Sequence, residues 1–295
     1  MRAFDRKFGA RFLDAVPRRP GVYRLYDAAG TLLYVGKAAD LRRRLAQYRT
    51  TRRVKRDGKR RALVTAAARI AWDVCASETE AALLELRLIQ SLRPRANVAG
   101  AFPFLYPFIG LRADAHETHF CLTTTPGAFE TFELHGAFRS RRVTGEAFFA
   151  LMRLLRFVGH LAPRPRRARM PAPYSYVFAV RRLPGDWPAL CGRLLRGVSR
   201  DALEDLALRL VEQAGARARR AEVQQHLDAV RRFFAEEASP LAAAIAATGY
   251  AGYPVPQYER DALLLRHRRE ARPPYDRGHR RPAAAGLPSE QGGTP

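Results

Sequence analysis

Two tyrosines, Tyr23 and Tyr34, one lysine, Lys37, and one glutamate, Glu85, are placed so that their side chains could do chemistry together. Gly21-Val22-Tyr23 and Tyr34-Val35-Gly36 form two short matching patches, and Lys37 follows the second directly. Residues 21–26 and 31–36 read as β-strands, with Ala28-Ala29-Gly30 turning between them as in a hairpin. That pairing brings two phenol hydroxyls and an ammonium to a common edge. A lone tyrosine in a strand is an ordinary core residue, because aromatic side chains favour strands.

The carboxylate carries a sharper signal. Ser77-Glu78-Thr79-Glu80 is a capping box that opens a helix running to about Leu92. Ala81, Leu84, Leu88, Ile89 and Leu92 form its apolar face, and Glu85 falls in the middle of that face. A carboxylate there is expensive unless it is paired, protonated or bound to a metal. Two readings stay open on this ground: a salt bridge to one of the many arginines, or a metal-binding or catalytic carboxylate.

Other elements must hold these groups. Asp40 can cap a helix over residues 41–48, whose Leu41, Leu45 and Tyr48 share one face. Arg44 borders that face, while Arg42 and Arg43 point to solvent or to a nucleic acid. A third strand is expected near residues 70–76. Residues 50–61, which include Arg52, Arg53 and Lys55, form a basic run read as a mobile segment facing a polyanion.

Composition supports such a partner. The chain has 295 residues, 52 Lys and Arg against 28 Asp and Glu, and a net charge of +24. That excess predicts a polyanionic ligand but names no activity. Only Lys7, Lys37, Lys55 and Lys59 are lysines, so a lysine beside the second tyrosine suggests a site that wants a compact point charge. Cys75, Cys121 and Cys191 lie far apart, with no disulfide framework, which fits a reducing cytoplasm. His116-Glu117-Thr118-His119 lacks further ligands at zinc spacing and reads as a loop entering a strand. The N-terminus lacks the apolar core of a signal peptide, and no run of apolar residues is long enough to span a membrane.

Taken together, Gly21-Val22-Tyr23, Tyr34-Val35-Gly36-Lys37, Arg44, Tyr48, Glu85 and Asn97 resemble the motif set of the GIY-YIG nuclease domain. Within that superfamily the chain is most similar to the N-terminal half of the UvrC excision endonucleases and to the stand-alone Cho-type endonucleases. Pro20-Gly21-Val22-Tyr23, Leu33-Tyr34-Val35-Gly36-Lys37-Ala38, Arg93-Pro94-Arg95-Ala96-Asn97-Val98 and Tyr106-Pro107-Phe108-Ile109 carry the likeness. It covers residues 17–112 and continues more faintly to about His160, through Gly136-Ala137-Phe138-Arg139-Ser140.

The resemblance implies an α/β (α+β) fold with a small three-stranded antiparallel sheet flanked by helices over residues 1–100. A middle region of strands and a hydrophobic helix is expected over 101–162, and a Pro/Arg linker over 163–173. A mixed strand and helix region over 174–262 could bind DNA or a partner, and a disordered basic tail over 263–295 would add nonspecific affinity. Within 174–262 a strand is expected at 176–182, with helices near 188–196 and 200–237.

The implied activity is metal-dependent endonuclease cleavage, one incision per binding event, in damaged or distorted DNA during nucleotide excision repair. Glu85 would bind one Mg²⁺ or Mn²⁺ ion, completed by water and substrate phosphate. Tyr34 would take the proton from water, its pKa lowered by Lys37, with Tyr23 positioning that water. Arg44 would contact the scissile phosphate, Tyr48 would join the hydrogen-bond network, and Asn97 would hold the chain after the Glu85 helix against the site. Lys37, Arg42, Arg43, Arg44, Arg52, Arg53 and Lys55 would contact nucleic acid. The cysteine cluster of full-length UvrC proteins is missing near residues 161–166, so no iron–sulfur cluster is expected. Their second, RNase H-like nuclease half is also not expected after residue 174. The helical hairpin that would bind a UvrB-like helicase is degenerate around residues 214–222. A non-catalytic nucleic-acid-binding protein and a restriction or mobile-element nuclease are the alternative readings.

Overall fold

The computed structural model describes residues 2–50, 57–97, 101–162, 172, 175–183 and 185–270. Strands β1 (Gly21–Tyr26), β2 (Leu32–Ala38) and β3 (Arg69–Val74) form an antiparallel sheet in the order β2-β1-β3. The hairpin register sets Tyr23 opposite Gly36 and Leu25 opposite Tyr34. Asp27 closes the turn by accepting the N–H groups of Ala29 and Thr31.

Alternation along the strands divides this sheet into two faces. On one face Tyr23 and Leu25 pack with Leu41, Leu45 and Tyr48 of α2 (Leu41–Arg49) and with Phe4 of α1 (Ala3–Phe8). Phe12 extends this aromatic cluster to Trp72 on β3. Asp40 caps α2 by accepting the Arg43 N–H at 2.8 Å. Residues 51–56, with Arg52, Arg53 and Lys55, lie outside the described residues. The rest of the expected mobile segment is ordered as α3 (Gly58–Ala66), because Leu63 and Val64 give it an apolar face to bury.

On the other face Val22 and Val35 pack against Ala81 and Ile89 of α4 (Glu78–Leu92). Ser77 caps α4 by accepting the Glu80 N–H, and the Glu80 carboxylate accepts the Ala76 N–H. The expected apolar face is shorter than the periodicity suggests: Leu92, in the last turn, is 55% exposed.

A second sheet has the order β6-β4-β5-β8-β7 and is antiparallel throughout. It comprises β4 (Phe108–Ala113), β5 (Glu117–Thr123), β6 (Glu133–His135), β7 (His160–Leu161) and β8 (Tyr176–Arg181). Helix α5 (Arg141–Val158) builds its core with α6 (Trp187–Arg196), α7 (Asp201–Glu212), the short α8 (Ala214–Ala218) and α9 (Arg220–Phe233). A π-helical turn, Phe234–Ala238, joins α9 to α10 (Ser239–Thr248).

Three sequence expectations are corrected here. β8 pairs with β5 and β7, so residues 101–162 and 174–262 share one sheet and one core instead of forming separate regions. The helix expected over 200–237 is broken at Gln213 and Arg219, where the backbone leaves the helical region. Part of the expected disordered tail is helical: α11 (Arg260–Glu270) packs against α4 and α10. Leu263 is buried there, and a polar anchor fixes the start of the helix. Tyr106 donates to Asp261 at 2.7 Å, while Arg260 bridges Asp261 and Glu237 and is 3% exposed. Composition hid this helix because its neighbours are arginines. Residues 271–295 lie outside the described residues.

Candidate active site

The glycines of the two matching patches are explained by close approach. A Cβ on Gly21 would sit 2.2 Å from the Asp73 carbonyl oxygen and 2.7 Å from Cδ1 of Leu41. A Cβ on Gly36 would sit 2.5 Å from both Cζ and the hydroxyl of Tyr23. The missing side chain at position 36 therefore leaves the space in which the Tyr23 phenol lies across the neighbouring strand.

Tyr23 is fully buried, and its hydroxyl is 2.9 Å from that of Tyr48. Arg44 Nε donates to the same Tyr23 oxygen at 3.1 Å, and Arg44 also donates to Gln47. Burial pushes the phenol pKa of Tyr23 far up, and that of Tyr48 up as well. Burial works against the charge on Arg44, but the surrounding phenols outweigh it, so the guanidinium stays charged. The Tyr23 hydroxyl, expected to position an attacking water, lies buried against Tyr48 and Arg44. The Tyr23 ring packs beside Tyr34, with ring centroids 6.1 Å apart.

Tyr34 is half-buried and faces the open side. Its pKa is pushed up to about 12, first by burial and then by the charges of Tyr23 and Glu85. Arg44 is the cation that opposes this rise. The expected lowering by Lys37 is not found: residues three apart on a strand point to opposite faces. The ammonium beside the Tyr34 ring belongs to Lys59, 5.1 Å from the centroid. Sequence reading missed Lys59 because it lies in the stretch taken for a mobile connector. Its place in the first turn of α3, whose Leu63 and Val64 form an apolar face, is the signal that could have found it.

Glu85 and Asn97 meet the outer edge of β2, which no strand covers among the described residues. Asn97 accepts the Val35 N–H and donates to the Val35 carbonyl, both at 2.9 Å. The Ala96 N–H donates to the Leu33 carbonyl at 3.1 Å. Glu85 Oε1 accepts the Lys37 N–H at 3.0 Å. That bond is the only one the Glu85 carboxylate makes among the described residues, and it has no ion pair there. Burial raises the Glu85 pKa, against the Lys37 N–H bond and the charges of Lys37 and Arg44.

Tyr34, Lys37, Lys59, Glu85 and Asn97 line one cavity of about 750 Å³. Tyr23, Arg44 and Tyr48 form the layer behind Tyr34. Among the described residues no group of three or more His, Cys, Asp or Glu side chains is placed to hold a metal. A half-buried carboxylate with one oxygen unengaged, facing a cavity of that size, suits a hard cation completed by water and phosphate. The Arg42 guanidinium donates to the carbonyls of Val16 and Asp14. Arg43 is exposed.

Residues 19–98 match the family model of the UvrC-like GIY-YIG domain. More particularly, a 113-residue stretch is 48% identical to UvrABC system protein C of Proteus mirabilis, covering 38% of this chain and 18% of that protein. The same protein of Klebsiella pneumoniae is 47% identical over 113 residues, with the same shares covered. The match thus spans less than a fifth of the curated relatives' length. The magnesium-bound crystal structure of the GIY-YIG N-terminal endonuclease domain of UvrC from Thermotoga maritima is 32% identical. It covers 29% of this chain and 91% of that chain, with a TM-score of 0.26. No helix among the described residues is long and apolar enough to cross a membrane.

Proposed function

We propose that this protein is a divalent-metal-dependent DNA endonuclease of the UvrC and Cho type, making one phosphodiester incision in damaged or distorted duplex. The observation that carries the reading is Glu85: a half-buried carboxylate without an ion pair among the described residues, opening onto the cavity that Tyr34 lines. A carboxylate held that way for structure alone would be paired. The net charge of +24 supports a nucleic-acid substrate.

A Mg²⁺ or Mn²⁺ ion held by Glu85 would neutralise charge on the phosphate and make bound water more acidic. Tyr34, at the cavity wall, takes the proton of the attacking water as its phenolate, a form that burial disfavours and that a cation held by Glu85 would favour. Arg44 supplies the fixed positive charge that favours the phenolate form of Tyr34, and Tyr23 and Tyr48 hold the guanidinium in place. Lys37 and Lys59 border the cavity and neutralise the DNA backbone, whose phosphate contacts position without specifying sequence. Asn97 fixes the strand edge on which Glu85 rests.

The test is cleavage of an end-labelled duplex carrying one bulky adduct, with and without the damage-loading helicase, against an undamaged control. Glu85→Gln should abolish metal-dependent cutting while binding remains, and Tyr34→Phe should cost orders of magnitude in rate. Near wild-type cutting by Glu85→Gln would refute the assignment. Selective cutting of one undamaged sequence would favour a restriction-type enzyme.

A further inference from the structure

The cavity that Glu85 faces has a second wall, built by residues far away in sequence. Arg139 lies on it, together with Glu236, Asp261, His267 and Arg268. The main chain around Arg139 is held firmly. The Glu237 carboxylate, 5% exposed, accepts the N–H of Arg139 at 2.7 Å and that of Ser140 at 3.0 Å. Ser140 in turn caps α5 by accepting the Val143 N–H. Glu237 also receives the buried Arg260, so the segment is tied to the π-helical turn and to α11 together.

The Arg139 side chain is held much less. It is 48% exposed, and its one ion-pair contact among the described residues is Asp261 at 3.9 Å. Asp261 is already satisfied by Arg260 at 3.1 Å and by Tyr106 at 2.7 Å. A rigid main chain therefore presents a half-exposed guanidinium whose donors are mostly unspent, with Lys37 and Lys59 on the facing wall. His267 adds an unmet demand, since its Nδ1 is buried without a hydrogen-bond partner. Of the three carboxylates on this wall, Asp261 and Glu237 are paired with Arg260, and Glu236 is exposed. Cations on both sides of a lone metal-binding carboxylate suit a phosphodiester chain running through the cleft, and Arg is the side chain that grips phosphate with two parallel bonds.

We propose that Arg139 is a second-wall DNA contact, binding a backbone phosphate that flanks the bond cut at Glu85. This rests on the endonuclease reading above and adds to it a clamp that the GIY-YIG domain does not itself contain. The side chain plays no part in holding its own loop, so Arg139→Ala should leave the denaturation midpoint unchanged.

The experiment uses the full chain and a fluorescent duplex carrying one bulky adduct. Affinity is measured against salt in the Glu85→Gln background, and cleavage in the wild-type background. Arg139→Ala should weaken binding about tenfold, from loss of a charge-assisted bond. It should also flatten the slope of log K on log salt by roughly 0.9. In cleavage, KM should rise with little change in kcat, and Arg139→Lys should restore the salt slope. Wild-type affinity and slope in Arg139→Ala, while the parent still cuts, would overturn this inference alone. Tighter binding in Arg139→Ala would overturn it as well. A parent that neither binds nor cuts the duplex would overturn the endonuclease reading with it.

Discussion

Replacing Gly36 by alanine probes the packing on which the site depends. The added methyl would lie 2.5 Å from Cζ and the hydroxyl of Tyr23 and 2.8 Å from Cε1 of Tyr34. Carbon contacts are comfortable at about 3.5–4.0 Å, so one ring must retreat by about 1 Å. Tyr34 is half-exposed and can turn. Tyr23 cannot move freely, because it is fully buried and shares its hydroxyl with Tyr48 and Arg44. Overpacking costs about 1–3 kcal/mol, and a strained bond at the buried hydroxyl about 1 kcal/mol more. Alanine also restricts the unfolded chain, which offsets about 0.4–1 kcal/mol. The expected net loss is therefore about 1–3.5 kcal/mol. Urea denaturation followed by circular dichroism reads it as a lower midpoint at constant slope. Gly145→Ala in α5 is the control: nothing lies within 4 Å of its added methyl, and a helical glycine should gain about 0.5–1 kcal/mol. A Gly36→Ala protein as stable as the parent, or stabilised like the control, would refute the argument that position 36 exists to admit the Tyr23 ring.

Asn97→Ala removes both bonds to Val35, and a loss of about 1–3 kcal/mol is expected, with faster hydrogen exchange at the Val35 amide. Unchanged exchange there would show that the amide pair does not hold the edge. Glu85 has a folded-state pKa raised above its unfolded value, so the folded protein binds the extra proton. Stability from this residue is therefore greatest at low pH and falls as pH rises from the ordinary carboxylate range through the raised value. In chelator-treated protein, Glu85→Gln should become the more stable of the two over that window, then keep a constant lead. A lead that shrinks with rising pH would reverse the sign and point to a paired carboxylate.

Short-range chemistry made much of the N-terminal domain legible in the sequence. Asp40 and Ser77 cap their helices as their spacing implies, and the hairpin turns at residues 28–30. Glu85 stood out because a charge on an apolar stripe violates the helix's own pattern. What sequence concealed depends on contacts between distant segments. Lys37 follows Tyr34 closely in the chain, yet strand alternation carries it to the other face. Lys59 reaches Tyr34 only once α3 has folded. The pairing of β8 with β5 crosses the Pro/Arg stretch, whose composition suggested a boundary. In α11, the three leucines after Asp261 were outweighed by the arginines beyond them, and the partners of Arg260 and Asp261 lie in other elements.

The outer edge of β2 has a consequence for how inactive variants are made. An uncovered strand edge invites pairing with another chain, and proteins block such edges deliberately. Here the blockers include two proposed site residues: Ala96 takes the Leu33 carbonyl, Asn97 both groups of Val35, and Glu85 the Lys37 N–H. Truncating Glu85 or Asn97 to alanine thus removes a proposed site residue and unmasks a template for intermolecular β-addition in the same step. Glutamine at position 85 keeps an acceptor for the Lys37 amide, so it separates loss of chemistry from loss of solubility where alanine would confound them.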